Sequence, residues 1–559
     1  MGLRGREARV RVTQRSVALV AAAVAPAPVI ATFSAHQELQ LLALLASAAA
    51  LLLLAEPLRI PYPILLVLGG LLLGFAPGVP DVALPPEVVL FGVLPPLLYS
   101  AAYNTGLREL RRNLRPISLL AVGVVLATTV AVAAVAHAGL GFSWASAFVL
   151  GAVVSPTDPL AATSIARRLG VPRRPIAVIE GESLVNDGTA LVLFKFAVAA
   201  VLTGTFSLAH ASASFVWNVV GGIALGLVVG YVIRRVRRPL DNPPLEVTIA
   251  FLTGYFAFLP ASAIGASGVL AVVTAGIYLG WYTPELTTVE TRLTGTGFWA
   301  IVEFLLNALL FGLVGLQLQP ILDRLGAYST RQLVVYAAAV AGVVMATRLV
   351  TIFPLTYLPR LLSRRLRERD PYPPWQYPTL IGWTGMRGAV TLAAALGIPL
   401  ATDSGAAFGD RDLIIYLAFC VVLVTLVFQG GTLPLVIRAL GLEDDGLNVK
   451  EEAKARIYAA DAAIARLDEL VQDGTVLPDT AERLRGAYQF RQRRFRARFD
   501  DGDDGAIEER SVQYQRARRE LLDAERDAIV ALRNEGRIAE EVMHSLQRDL
   551  DLEDSRLDV

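Results

Sequence analysis

From residue 39 to residue 438 the chain runs as long apolar stretches separated by short polar connections. A helix that crosses a membrane needs roughly 20 apolar residues, about 17 to 25 in practice. Thirteen stretches reach that length: 39–55, 60–76, 86–102, 116–138, 144–166, 175–202, 212–233, 245–260, 264–281, 296–318, 332–358, 376–400 and 412–438. The pattern predicts an all-α polytopic membrane protein of about 13 transmembrane helices. After residue 440 it changes character. Residues 441–559 carry alternating charges with apolar positions at i, i+3 and i+4, as in VKEEAKARIYAADAAIARLDELV and EERSVQYQRARRELLDAERDAIVALRNEG, interrupted by DDGDDG at 500–505. This predicts a helical tail in water whose segments pack on each other or on a second subunit. Regulation and assembly are both open as its role, and nothing in it has a catalytic pattern.

Composition fits this division, with 54% hydrophobic and only 18% charged residues in a chain of 559, against about 25% charged in an ordinary soluble protein. Short loops on the cytoplasmic side of a membrane carry the excess of Lys and Arg. The connections after the third, fifth, seventh and eleventh stretches hold Arg108, Arg111, Arg112 and Arg115, then Arg167, Arg168, Arg173 and Arg174, then Arg234, Arg235, Arg237 and Arg238, then Arg360, Arg364, Arg365, Arg367 and Arg369. All four fall on one side if thirteen spans alternate, and the opposite connections 77–85 and 139–143 have no Lys or Arg. The tail is then cytoplasmic and the protein sits in the cell membrane. The same count leaves residue 38 outside, although Arg4, Arg6, Arg9, Arg11 and Arg15 prefer the inside. The apolar stretch 17–33, interrupted by Pro26 and Pro28, resolves the conflict either as a removed signal segment or as an extra first span. Three regions result: a basic N-terminal segment (1–38), a membrane domain (39–440) and the tail (441–559).

Several function classes drop out. A single cysteine, Cys420, forbids an intramolecular disulfide, and four scattered histidines offer no clustered imidazole metal site. A net charge of +1 says nothing of nucleic acid, and the arginines are placed by topology instead. No P-loop is present, so no nucleotide is expected and ion gradients must drive any transport.

The informative positions are ionisable groups deep inside apolar stretches, where a charge costs about 2.5–3.5 kcal/mol even on the lenient insertion scales. Asp158 lies in GAVVSPTDPLAATS between Pro156 and Pro159. Two prolines three residues apart remove donors and free carbonyls, so the helix should open there and offer oxygens, with the Thr157 hydroxyl, to a small cation. The competing reading is a plain kink with Asp158 capping the second half-helix. Asp187 lies in IEGESLVNDGTALVLF, beside Asn186 and about one turn beyond Glu182 and Ser183. A short connection returns this stretch antiparallel to the previous one and brings Asp158 and Asp187 to similar depth, an oxygen-rich pocket for a hard cation. Glu182 and Asp187 are five apart and point in different directions, which implies different tasks. Arg387, in IGWTGMRGAVTLAAAL, is the guanidinium inside the twelfth stretch and needs a buried anion. Glu182 is the expected partner, since a bidentate pair neutralises both and leaves Asp187 free to titrate; pairing with Asp187 itself would make the site inert. Glu303 and Asn307, one turn apart in the tenth stretch, share a face and are expected to share a hydrogen bond, as structural glue or as accessory ligands.

At these residues the sequence resembles the monovalent cation:proton antiporters of the sodium/proton exchanger type. SPTDP, then GESLVNDG about thirty residues on, then a late GMRG occur in that family's order and spacing, within a likeness spanning residues 39 to 440. The resemblance implies thirteen helices in a dimerisation bundle and a core bundle, with inverted repeats whose fifth and twelfth helices unwind and cross. It implies Asp187 as the cation and proton carrier, with Asp158, Thr157, Ser183 and Asn186 completing the site and Glu182 with Arg387 as a structural ion pair. It also implies a homodimer. Asn186 before Asp187 is similar to the bacterial electroneutral branch, hence one proton per cation. Gly188 and Thr189 stand where members vary, and residues 1–38 match nothing in the family.

The expected function is therefore secondary active antiport of a monovalent cation for a proton, by competition at Asp187. Sodium comes first, with lithium and potassium as the other candidates. Such a protein is not an enzyme, needs no cofactor beyond its transported ions, and has membrane lipids and a second copy as partners. Two rivals are weaker. A cation channel would need a short re-entrant filter segment, and an organic-anion carrier would need more cations than carboxylates at mid-membrane.

Overall fold

The computed structural model describes residues 50, 53, 61–76, 87–204, 208–402, 405–444, 446–497 and 506–555. The basic segment 1–38, nearly all of the stretch 39–55 and the DDGDDG turn lie outside these residues. The chain divides into two compact units, Met1–Leu442 and Glu443–Val559.

In the first unit every apolar stretch from residue 60 onward is helical, and among the described residues the one β feature is an isolated bridge between Ala401 and Ala407. Helix α1 covers Tyr62–Gly74, and a π turn at Val88–Val93 leads into α2, Leu94–Tyr103. Helix α3 (Leu107–Ser118) passes through a second π turn into α4 (Val125–Leu140). Then come α5 (Trp144–Val154), α6 (Leu160–Arg168), α7 (Arg173–Thr203), α8 (Leu208–Arg237), α9 (Pro243–Ala263), α10 (Gly268–Leu286) and α11 (Val289–Leu316). After the short α12 (Leu318–Asp323) follow α13 (Thr330–Leu362), α14 (Arg364–Arg369), α15 (Gln376–Trp383) and α16 (Ala389–Leu396). The last span is α17 (Arg411–Val424), a π turn at Thr425–Gln429, and α18 (Gly430–Ala439).

Among the described residues seven helices are long and apolar enough to cross a membrane by length and composition alone. Of the other stretches, the ninth forms the uninterrupted 19-residue α10 and the rest form shorter or interrupted helices, and the interruptions are the informative part. The fifth stretch is split into α5 and α6 by the non-helical residues 155–159, and the twelfth into α15 and α16 by 385–388. Pro156 and Pro159 cause the first break, because each lacks an N–H and its ring collides with the carbonyl four residues back. The second break contains no proline.

The apolar interior falls into two large clusters. One gathers α4, α5, α6, α13, α16 and α17, around residues such as Leu150, Ala162, Val344, Ala393 and Phe419. The other gathers α2, α9 and α10, around Tyr99, Ala257 and Val272. Helices α1 and α11 touch backbone to backbone: a Cβ at Gly70 would stand 2.5 Å from the Gly312 carbonyl oxygen, and one at Gly315 would stand 2.4 Å from that of Val67.

The second unit consists of α19 (Leu447–Gln472), α20 (Pro478–Ala497), α21 (Ala506–Asn534) and α22 (Glu540–Asp554). Ala453, Ala460 and Leu467 recur every seven residues as the buried seam of α19, and Arg485 of α20 pairs with Asp468. Arg526 of α21 binds Asp551 at 3.0 Å and Asp554 at 2.9 Å on α22.

Candidate functional site

The two breaks touch each other. The Asp158 amide donates to the Met386 carbonyl at 2.8 Å, so the opened backbone of one stretch hydrogen bonds to that of the other. Breaking a helix leaves unpaired carbonyls at one end and unpaired amides at the next, with partial charges of about half a unit, negative and positive respectively. Arg387 takes the carbonyl ends. Its Nε donates to Val154 at the end of α5 at 3.0 Å, and its Nη1 donates to Gly385 just beyond α15. Asp158 takes the amide end, where its Oδ1 accepts from Leu160 at the start of α6 at 2.9 Å. The same carboxylate lies against the start of α16: a Cβ at Gly388 would stand 1.9 Å from Asp158 Oδ2, so only glycine fits. Gly388 has an ordinary extended φ of −129°, which makes the requirement one of space alone.

Helix α7 locks onto the first break through two bonds. Ser183 Oγ donates to the Thr157 carbonyl at 3.0 Å, and Asn186 Nδ2 donates to Thr157 Oγ1 at 2.7 Å. Asn186 Oδ1 is buried without a protein partner. Asp187, one residue on, is 6% exposed. It borders a cavity of about 330 Å³ that also reaches Asp158, Thr157, Ser183, Glu303 and Asn307. Asp158 and Asp187 lie within electrostatic reach of each other. The cavity extends to Arg167 and Glu180, which pair at 2.6 Å at the arginine-rich end of the helices. The structure thus gathers Asp158, Thr157, Ser183 and Asp187 around one space, with Glu303 and Asn307 on its wall and Asn186 buried behind Thr157.

Two sequence assignments need correction. Glu182 does not pair with Arg387. Its carboxylate is held by Arg348 of α13, Nη1 to Oε1 at 2.6 Å and Nη2 to Oε2 at 3.0 Å, with both residues 1% exposed. Arg348 also donates from Nε and Nη2 to the Ile381 carbonyl at 3.2 and 3.0 Å, which ties α7, α13 and α15 together. Arg387 lies beside this pair but needs no carboxylate, because freed carbonyls meet it instead. The sequence shows this partner as a guanidinium in the middle of the eleventh stretch, in VMATRLVTIF. The second correction concerns Glu303, which does not bond to Asn307. It accepts from the hydroxyl of Ser100 on α2. No feature of the linear sequence marks Ser100, since its proximity is purely tertiary.

Comparison with known proteins agrees with this geometry. Residues 41–439 match the family described as sodium/hydrogen exchanger, transmembrane. The chain is 38% identical over 521 residues to an uncharacterized Na(+)/H(+) exchanger of Mycobacterium tuberculosis, covering 92% of this chain and 95% of that one. It is 34% identical over 433 residues to the low-affinity Na(+)/H(+) antiporter NhaS1 of Synechocystis, covering 76% and 78%. Among solved structures, the sodium proton antiporter MjNhaP1 of Methanocaldococcus jannaschii at pH 8 superposes with a TM-score of 0.57 at 17% identity, covering 72% of this chain and 99% of that one.

Proposed function

Since the chain belongs to the transmembrane sodium/hydrogen exchanger family, we propose that it exchanges a monovalent cation, sodium first, for a proton across the cell membrane by letting both compete for Asp187. The observation that carries this reading is the contrast between two acids of α7. Glu182 is neutralised by Arg348, whereas Asp187 borders the cavity beside Asp158 with no cationic partner among the described residues. An ionised Asp187 attracts a partly dehydrated cation, with oxygens of Asp158, Thr157, Ser183 and Asn186 at hand. A protonated Asp187 attracts none. One group thus carries either load, and with Asn186 rather than a second titrating acid before it, the expected exchange is one proton per cation. The cavity reaches the arginine-rich end, so this conformation is read as open to the cytoplasm, with access alternating as the crossing helices move against the α1–α11 pair. The same reading carries a homodimer with a cytoplasmic tail, which a mass measurement in lipid nanodiscs tests.

The decisive experiment uses sealed vesicles with the purified protein and a pH-sensitive dye inside. Sodium, lithium and potassium are added in turn to the parent and to Asp187→Asn. Cation-driven pH change is expected in the parent and none above the protein-free background in the variant. An unchanged response in Asp187→Asn would remove that residue from the centre of the mechanism, and cation flux without proton movement would make the protein a channel.

A further inference from the structure

Glu303 is a further carboxylate on the cavity, and it stands on a different support from Asp158 and Asp187. Asp158 and Asp187 belong to the first break and α7. Glu303 belongs to α11, whose backbone lies directly against α1 through Gly70, Gly312 and Gly315. Tyr62, at the start of α1, packs its ring on Phe304 with centroids 5.5 Å apart and sits within electrostatic reach of both Asp158 and Glu303. The wall carrying Glu303 therefore faces the wall carrying the aspartates.

The partners of half-buried Glu303 set it apart from the other acids inside the membrane unit, Asp187 excepted. Glu182 has Arg348, Glu246 has Arg237 at 3.4 Å together with the Thr291 hydroxyl, and Asp158 has the start of α6. Glu303 has only a neutral hydroxyl, that of Ser100, and no cationic partner among the described residues. A structural acid at this depth would be expected to have its charge matched. An acid left unmatched on a cavity of about 330 Å³ is suited to a mobile cation. Oxygens to complete such a site are adjacent: the Asn307 amide on the cavity wall, and Ser100 Oγ, which donates to Glu303 and accepts from Asn104 Nδ2 at 3.4 Å.

We propose that Glu303 and Ser100 form a second, weaker station for the monovalent cation, on the route between the cavity mouth and Asp187. The station rests on the exchange reading above. It concentrates cation opposite the aspartates and sets the apparent affinity from the cytoplasmic side, while the exchange step stays at Asp187. Because the two walls belong to different helix pairs, the station and Asp187 separate when the crossing helices move, which releases the cation from the first to the second.

The test uses everted membrane vesicles, whose outer face is cytoplasmic, with sodium varied at constant ionic strength. Removing one full charge from a low-dielectric cavity is expected to raise the half-saturating sodium concentration of Glu303→Gln about tenfold, with the maximal rate falling less than about threefold. Ser100→Ala should raise half-saturation about threefold, and Glu303→Asp should recover part of the loss. Half-saturation within twofold of the parent in Glu303→Gln, or a loss confined to the maximal rate, would overturn the station and leave Glu303 a packing residue. If Glu303→Gln does not assemble, Ser100→Ala decides the matter in the same way. A parent without sodium-driven proton movement, or an Asp187→Asn variant as active as the parent, would instead sink the exchange reading. An active parent with unaltered half-saturation in both station variants sinks the station alone.

Discussion

The two helix breaks solve one electrostatic problem in opposite ways. At 155–159 prolines open the helix, and a carboxylate covers the amide end that results. That carboxylate borders the cavity of about 330 Å³, so the first break is acidic and open. At 385–388 no proline is present, and Arg387 covers the carbonyl ends of α5 and α15 while being fully buried. The second break is cationic, its guanidinium buried while Gly388 reaches the same cavity. One acid and one base thus serve ends of four half-helices, each where the local dipole favours its sign. The lesson is that a buried guanidinium beside an acidic break can be met by backbone carbonyls on Nε and Nη1, with Nη2 left without a partner among the described residues.

The largest expected effect comes from forcing the two breaks apart. In Gly388→Ala the new methyl would stand 1.9 Å from Asp158 Oδ2 and 2.6 Å from its Cβ, too near for a rotamer change to relieve. Displacing a functional group by about an ångström costs on the order of 100-fold in rate, so exchange in vesicles should fall by about that factor. Gly431→Ala, where nothing lies within 4 Å of the added carbon, should match the parent. Equal activity in the two variants would mean that Asp158 is not pinned against the second break.

Next in size is the buried pair that stands between the breaks. Glu182→Gln strands the Arg348 guanidinium at 1% exposure, at a cost of about 3–5 kcal/mol. Thermal unfolding in nanodiscs should record a clear loss. Adding Arg348→Met to Glu182→Gln should recover much of it, whereas adding Arg387→Met should lose more, because the Val154 and Gly385 carbonyls are then left without a donor. Recovery by Arg387→Met instead would restore the pairing that the sequence suggested.

That mispairing shows where sequence reading reached its limit. Apolar length located every described span from residue 60 onward, because burial of a helix in lipid needs a fixed number of apolar residues whatever their neighbours. Pro156 and Pro159 announced the first break, since proline acts on its own backbone. The oxygen set around Asp187 was legible too, because Thr157, Ser183 and Asn186 lie within a few residues of the two aspartates. Partner choice was not. Arg348 lies 166 residues from Glu182, Ser100 lies 203 from Glu303, and nothing in either segment encodes which of two buried guanidiniums arrives first. The wrong choice also came from assuming that a buried arginine requires a carboxylate, when a broken helix supplies carbonyls that serve as well.

The smallest effect tests whether pairing matters as much at the edge of the membrane unit as inside it. Asp370, between α14 and α15, receives Arg174 on Oδ1 and Arg360 on Oδ2, each at 2.6 Å. Partial burial pushes its carboxyl up, but the hydrogen bonds and charges of Arg174 and Arg360 more than reverse that and hold it below the ordinary carboxylate range. A carboxyl depressed by folding contributes stability that is complete above its unfolded value, about 3.9, and is lost as pH falls through the folded value. The advantage of the parent over Asp370→Asn should therefore be constant from neutral pH down to about pH 5 and shrink in more acid solution. The Asp370 side chain is 24% exposed, where Glu182 and Arg348 are 1%, so solvent screening keeps this advantage well below that of the buried pair. Thermal midpoints of the two proteins across that range check the sign. A difference that grew on acidification would mean that the two arginines do not govern this carboxylate.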